Sequence, residues 1–343
     1  LWYLVGILLL FLLLYKARSI RREIRAIGAT VESGACVDLS PTVRAVSLTI
    51  LASLPLPALV AFLAWRFWQL PTDNPVVLGL AQGLSVLAAV GLPLEFFRQL
   101  CQPKGLAESH VSWPNHSVAV VRRNLRWLMI FGLPLITISA MLDADSTHTE
   151  VDTWQRLTFI AVAIVTSIFV SRVLNPRTGI FATYLARKPH GWAAQLQPIW
   201  YWAAVLVPLA FGLLAVMGYS YTAWRLARHL HVSNVLLAVL VVVTAFFTRM
   251  LLVQRRRINI EAARKRRELA TESDEMSIEA AEIPTAEDLR SQIAQSRSLL
   301  RMVMVGVAIV GLWMTWVDVL PALGFLEQRP LWRSIKTAVS YTH

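Results

Sequence analysis

Eight long apolar runs divide this chain of 343 residues, and no soluble fold of that length can bury all of them. They are Leu1–Tyr15, Ala45–Leu70, Pro75–Phe97, Trp127–Leu142, Leu157–Leu174, Ile199–Gly218, Asn234–Val253 and Met302–Leu320. A hydrocarbon core of about 30 Å needs roughly 20 apolar residues per crossing helix. No period-two stretch is long enough for an outer-membrane barrel, so the crossings are helices. Composition points the same way: 56% of the residues are hydrophobic and 16% charged, where a soluble domain carries about 25% charge. That balance excludes an ordinary globular enzyme and a disordered chain alike. The expected fold is all-α, a polytopic transmembrane protein of about eight spans.

A net charge of +12 invites a nucleic-acid reading, but the distribution of that charge argues otherwise. Loops assigned alternately to two faces put 26 of the 33 Lys and Arg on one face, in Lys16–Arg44, Arg98–Arg126, Arg172–Lys188 and Arg249–Arg301. The other face holds 7. Lys and Arg in short loops stay cytosolic, so the N-terminus and His343 are expected outside and no nucleic acid is expected as a partner. Leu1 opens straight onto an apolar run without an initiator Met or a basic leader, which reads as a piece of a longer chain. Three regions are expected: spans one to seven over 1–253, a cytosolic basic helix and acidic linker over 254–301, and the eighth span with an outer segment over 302–343.

The spans carry few chemical features. Pro55, Pro57, Pro93, Pro134 and Pro208 lie inside them and read either as hinges or as fixed kinks. Gly79 and Gly83 form a small-xxx-small pair on one face of the third span, suited to close helix packing. Glu95 and Arg98, spaced i,i+3, read as an interfacial ion pair. No charge sits at a bilayer midplane and no span shows an Asp/Glu/His chain, which disfavours a proton-coupled transporter. His110, His116 and Glu108 share a loop, but their spacing fits no zinc pattern. Cys36 and Cys101 form neither a disulfide framework nor a metal motif. No P-loop or nucleophile elbow occurs, so no catalytic residue, cofactor or metal is expected. After the seventh span, Arg255, Arg256, Arg257, Arg264, Lys265, Arg266 and Arg267 place seven positive charges at the inner leaflet. They either enforce topology alone or also grip anionic lipid headgroups.

Four stretches, taken in order, carry a family resemblance. Leu94-Glu95-Phe96-Phe97-Arg98-Gln99-Leu100-Cys101 runs on to Gly105-Leu106-Ala107-Glu108-Ser109-His110 and Trp113-Pro114. Gly218-Tyr219-Ser220-Tyr221-Thr222-Ala223 precedes Arg225-Leu226-Ala227. The third stretch runs from Leu252 through Arg255-Arg256-Arg257 to Ala262-Ala263-Arg264, and the fourth is Trp316-Val317-Asp318-Val319-Leu320-Pro321-Ala322-Leu323. Together these resemble the large multi-span branch of the MscS-like mechanosensitive channels, its potassium-dependent and miniconductance members in the bacterial inner membrane. The resemblance implies a tension-gated channel subunit, one of seven around a central pore, with membrane lipids as partners. It also implies that this piece is the lipid-facing sensor region, with the pore helix and cytosolic vestibule beyond it. A secondary transporter, or another polytopic inner-membrane protein, is the alternative.

Overall fold

The computed structural model describes residues 2–32, 39–111, 113–143, 149–272 and 286–319. Among these every regular element is a helix, and no strand occurs. In chain order the helices are α1 (Trp2–Glu32), α2 (Ser40–Ser53), α3 (Pro55–Trp68), α4 (Pro75–Leu100), α5 (Asn115–Asp143), α6 (Thr149–Val173), α7 (Ala182–Arg187), α8 (Trp192–Gln195), α9 (Gln197–Val216), α10 (Ser220–Glu272) and α11 (Ala286–Trp316). A single π-helical turn, Leu106–His110, stands between α4 and α5.

Seven helical stretches among the described residues are long and apolar enough to cross a membrane: α2 with α3, α4, α5, α6, α9, α10 and α11. They take in the second to eighth expected spans. The first expected span, Leu1–Tyr15, falls within α1, where Leu1 and the side chains up to residue 14 lie outside the described residues.

Several helices outrun the apolar stretches that announce them. The fourth span was expected from Trp127, yet α5 begins at Asn115 and carries Arg122, Arg123 and Arg126 in its first half. The seventh was expected from Asn234, yet α10 starts at Ser220. Hydropathy marks where a helix meets lipid, whereas the hydrogen-bonded ladder continues through any residues of adequate propensity. The expected second span divides at Leu54. Pro55 and Pro57 supply no N–H to the ladder, so α3 starts afresh, and its first regular donor, the Ala58 N–H, reaches the Leu54 carbonyl at 2.9 Å. Pro93, Pro134 and Pro208 sit inside continuous helices. At the start of α4, Asn74 accepts the Val76 N–H at 2.9 Å with Pro75 following as the first helical residue.

Packing follows chain order: α3 on α4, α4 on α5, α5 on α6, α6 on α9, α9 on α10, α10 on α11, with α1 laid against α2. Small residues set the close approaches. Gly79 and Gly83 face α5, where an added Cβ would come within 2.8 Å of the Met141 carbonyl oxygen and 3.0 Å of that of Thr137, respectively. Gly212 of α9 faces Ala163 of α6, and close by the Ser167 hydroxyl donates to the Val205 carbonyl at 2.7 Å. Gly311 of α11 lies against Leu236 of α10, and the Trp316 indole N–H donates to Ser233 Oγ at 2.9 Å. Outward from these seams point Ile130, Phe131, Leu213, Ile309 and Met314, all exposed on the isolated chain. In a bilayer, lipid tails cover such a surface.

Candidate functional site

At the basic end of the helices, three stretches far apart in sequence converge: the second half of α1, the start of α2, and the chain from the end of α4 to the start of α5. Leu106 and Ala107 of the π-turn join Ala45 of α2, Leu100, Cys101 and Val118 of α5 in one buried apolar cluster. The turn itself is closed by unusual backbone bonds. The Val111 N–H reaches back five residues to the Leu106 carbonyl at 3.1 Å, and the Lys104 N–H donates to the Glu108 carboxylate at 2.8 Å. Lys104 adopts φ +54°, a left-handed conformation uncommon for a residue with a side chain. Directly above it runs α1, and the residue at the crossing is Gly28.

Two buried groups in this loop are chemically quiet. Burial, with the Arg249 charge nearby, lowers the pKa of His110 to about 4, so the ring is neutral at pH 7; its Nδ1 lies 3.1 Å from the Thr42 hydroxyl of α2. Burial pushes the Cys101 thiol up to about 12, which leaves it protonated and unreactive. His116 Nε2 lies 3.0 Å from the Thr178 carbonyl, tying α5 to the chain after α6. Among the described residues no group of three potential ligands could hold a metal ion.

Two carboxylates at this end of the helices hold ion pairs. Glu95, 5% exposed, accepts two hydrogen bonds from Arg98 at 2.6 and 2.5 Å and one from Gln99 at 2.6 Å. Arg21 of α1 approaches the same carboxylate at 4.0 Å, so the pair expected within α4 is a junction between two helices. Arg122 of α5 stands 3.9 Å from Glu108. Between these pairs opens a cavity of about 350 Å³ lined by Arg21, Arg25, Arg98, Arg122 and Arg126, with Gln99 and Gln102 on its wall. Burial, and then the repulsion of Arg98, lower the pKa of Arg21 below its ordinary value.

Of the residues singled out by sequence, Glu95, Arg98, Cys101, Glu108 and His110 meet here, while the candidate lipid contacts and helix-packing residues lie elsewhere. Arg257 and Arg264 are exposed on α10, while the side chains of Arg255, Arg256, Lys265, Arg266 and Arg267 lie outside the described residues. Gly79 and Gly83 lie at the α4–α5 seam, Pro55 and Pro57 at the break between α2 and α3, and Pro93, Pro134 and Pro208 inside continuous helices. In the sequence, the cavity's arginines other than Arg98 count only toward charge asymmetry. Their spacing was the available signal: Arg21 with Arg25 and Arg122 with Arg126 each stand four apart, on one helix face.

A family model described as "Mechanosensitive ion channel inner membrane domain 1" matches residues 1–332. Over 342 residues the chain is 29% identical to the miniconductance mechanosensitive channel MscM of Escherichia coli (strain K12), an alignment that covers 93% of this chain and 29% of that protein. It is 23% identical over 251 residues to an uncharacterized MscS family protein of Haemophilus influenzae, covering 71% of this chain and 22% of that protein. The chain thus spans less than a third of the length of these relatives. No solved structure matches it. With seven helical stretches among the described residues long enough to cross a membrane and a family model laid over nearly every residue, this multi-pass inner-membrane chain belongs to the mechanosensitive ion channel inner membrane domain family.

Proposed function

We propose that these helices form the tension-sensing, lipid-facing region of a mechanosensitive channel subunit that serves as an osmotic safety valve. The observation that carries this reading is the family match across residues 1–332, supported by the similarity to an Escherichia coli miniconductance channel. The apolar residues exposed along α5, α9 and α11 support it further, because a helix wrapped in lipid responds directly to bilayer thickness and tension. The conduction path and the cytosolic vestibule belong to other parts of the assembly, which is a homo-oligomer of seven subunits by family resemblance. No enzymatic step is assigned. Residues 1–253 act as the sensor, 254–301 as a cytosolic helix and linker, and 302–343 as the lead toward the pore module.

The basic end faces the cytosol in this reading, which rests on the charge split. Asp73, between α3 and α4, and Lys188, after α7, are both exposed, and the alternation of spans assigns them to opposite faces. Asp73→Cys should react with an impermeant maleimide from the periplasm and Lys188→Cys should not; the reverse pattern inverts the topology.

The seven positive charges from Arg255 to Arg267 grip anionic headgroups at the inner leaflet, each contributing on the order of 1 kcal/mol, less after salt screening. Changing Arg264, Lys265, Arg266 and Arg267 together to Gln, in a full channel containing this region, should shift the gating tension while expression and orientation persist. Patch-clamp in anionic-lipid membranes measures it. An unchanged threshold leaves these residues with a topological role alone.

A further inference from the structure

The cavity at the basic end holds more positive charge than the protein neutralises. Five guanidiniums line it, and two carboxylates stand behind them, Glu95 against Arg98 and Arg21, Glu108 against Arg122. Arg25 and Arg126 make no ion pair among the described residues. Donors are in surplus too. Arg21 Nε, Arg122 Nη1 and the Gln102 side-chain amide nitrogen are buried and find no hydrogen-bond acceptor, and Gln102 as a whole is 8% exposed. Buried donors in native proteins are almost always satisfied. Donors and charges converging on an empty space of about 350 Å³ describe the complement they need: a group with several acceptor oxygens and at least one full negative charge.

The depth of the cavity narrows the choice. Arg98 lies in the last turn of α4, and Arg122 and Arg126 come just before Trp127, where the apolar stretch of α5 begins. Arg21 and Arg25 follow the apolar start of α1. All five therefore stand at the level where phospholipid headgroups lie, and arginine is the side chain best shaped to take phosphate oxygens in pairs. Basic pockets between membrane helices at this level take anionic headgroups. We infer that this cavity binds the phosphate group of an anionic phospholipid, which joins α1 to α4 and α5. The inference rests on the membrane placement proposed above, while its test reads binding and not gating, so either can fail without the other.

The probes are phosphatidylglycerol, phosphatidylcholine and inorganic phosphate, offered to the purified chain and read by native mass spectrometry. Arg25→Gln/Arg126→Gln removes two exposed charges that support no ion pair among the described residues, so the helices remain folded, as a melting curve verifies. Arg123→Gln, an exposed neighbour that does not line the cavity, is the control. The chain should retain phosphatidylglycerol over phosphatidylcholine, the double variant should bind it at least tenfold more weakly, and the control should match the unaltered chain. Equal retention by the double variant and the unaltered chain, or no preference over phosphatidylcholine, overturns the site. Binding of inorganic phosphate at these arginines without retention of phosphatidylglycerol overturns the lipid and leaves a soluble anion.

Discussion

Replacing Gly28 with Ala is expected to loosen the basic end of the protein, whereas Gly306→Ala, in α11, is expected to leave it intact. A Cβ at position 28 would stand 2.1 Å from the Lys104 carbonyl oxygen and 2.9 Å from Ser109 Oγ. The first of these is backbone, held in a left-handed conformation beside Gly105, whose own added Cβ would meet the Gln102 carbonyl at 2.7 Å. Neither side can give way, so the cost falls at or above the upper end of the roughly 1–3 kcal/mol typical of overpacking. Gly306 has nothing within 4 Å of an added Cβ, and helix propensity then favours Ala by about 1 kcal/mol. Thermal unfolding of the purified chain compares the two. A second readout is the thiol of Cys101, buried in the cluster beneath the same loop. Its labelling should accelerate in Gly28→Ala, and an unchanged melting point together with unchanged labelling would refute the close crossing.

The second large effect is expected at Glu95. Its carboxylate carries three hydrogen bonds and faces a second helix through Arg21. Removing one member of a buried pair costs about 3–5 kcal/mol, because the remaining charge stays behind without compensation. Here the Arg98 side chain is about a third exposed, so water recovers part of that loss and Glu95→Gln should cost nearer the lower figure. Glu95→Gln/Arg98→Gln should be less damaging than the sum of the two single changes, since the penalty arises from an uncompensated charge. Strict additivity in denaturant or thermal unfolding would mean that the two side chains are not coupled.

The contrast between these two sites explains what was legible in the sequence. The crossing helices were, because lipid imposes a composition on every residue it touches, and apolar runs such as Ile199–Gly218 register without knowledge of their neighbours. The Glu95–Arg98 pair was legible for a similar reason, its partners being one helical turn apart. Gly28 was not. Its role exists only because α1 passes over Lys104, 76 positions away, and nothing local distinguishes it from Gly306. The arginine cavity was hidden in the same manner. Each of its residues is a plausible surface charge, and only the meeting of α1, α4 and α5 gives them a common space. The apolar stretches of α5 and α10 mark only part of each helix, because a hydropathy window ends where lipid ends, while a helix does not.

The length of α10 has a mechanical consequence. Its 53 residues contain neither Pro nor Gly, so nothing in the sequence invites a kink. At 1.5 Å per residue the helix is about 80 Å long, against a hydrocarbon core of about 30 Å. The apolar stretch Asn234–Val253 takes up the hydrocarbon, which leaves about 20 Å of rod before it and about 28 Å after it, and α9 and α11 both pack against α10. Bilayers that thin under tension oblige long helices to tilt further. For a lever of this length, a change of about 5° in tilt swings one end by roughly 7 Å relative to the other. A thinning of an ångström or two at the lipid can thus arrive at the far end of α10 several times enlarged, as a sideways stroke rather than a vertical one.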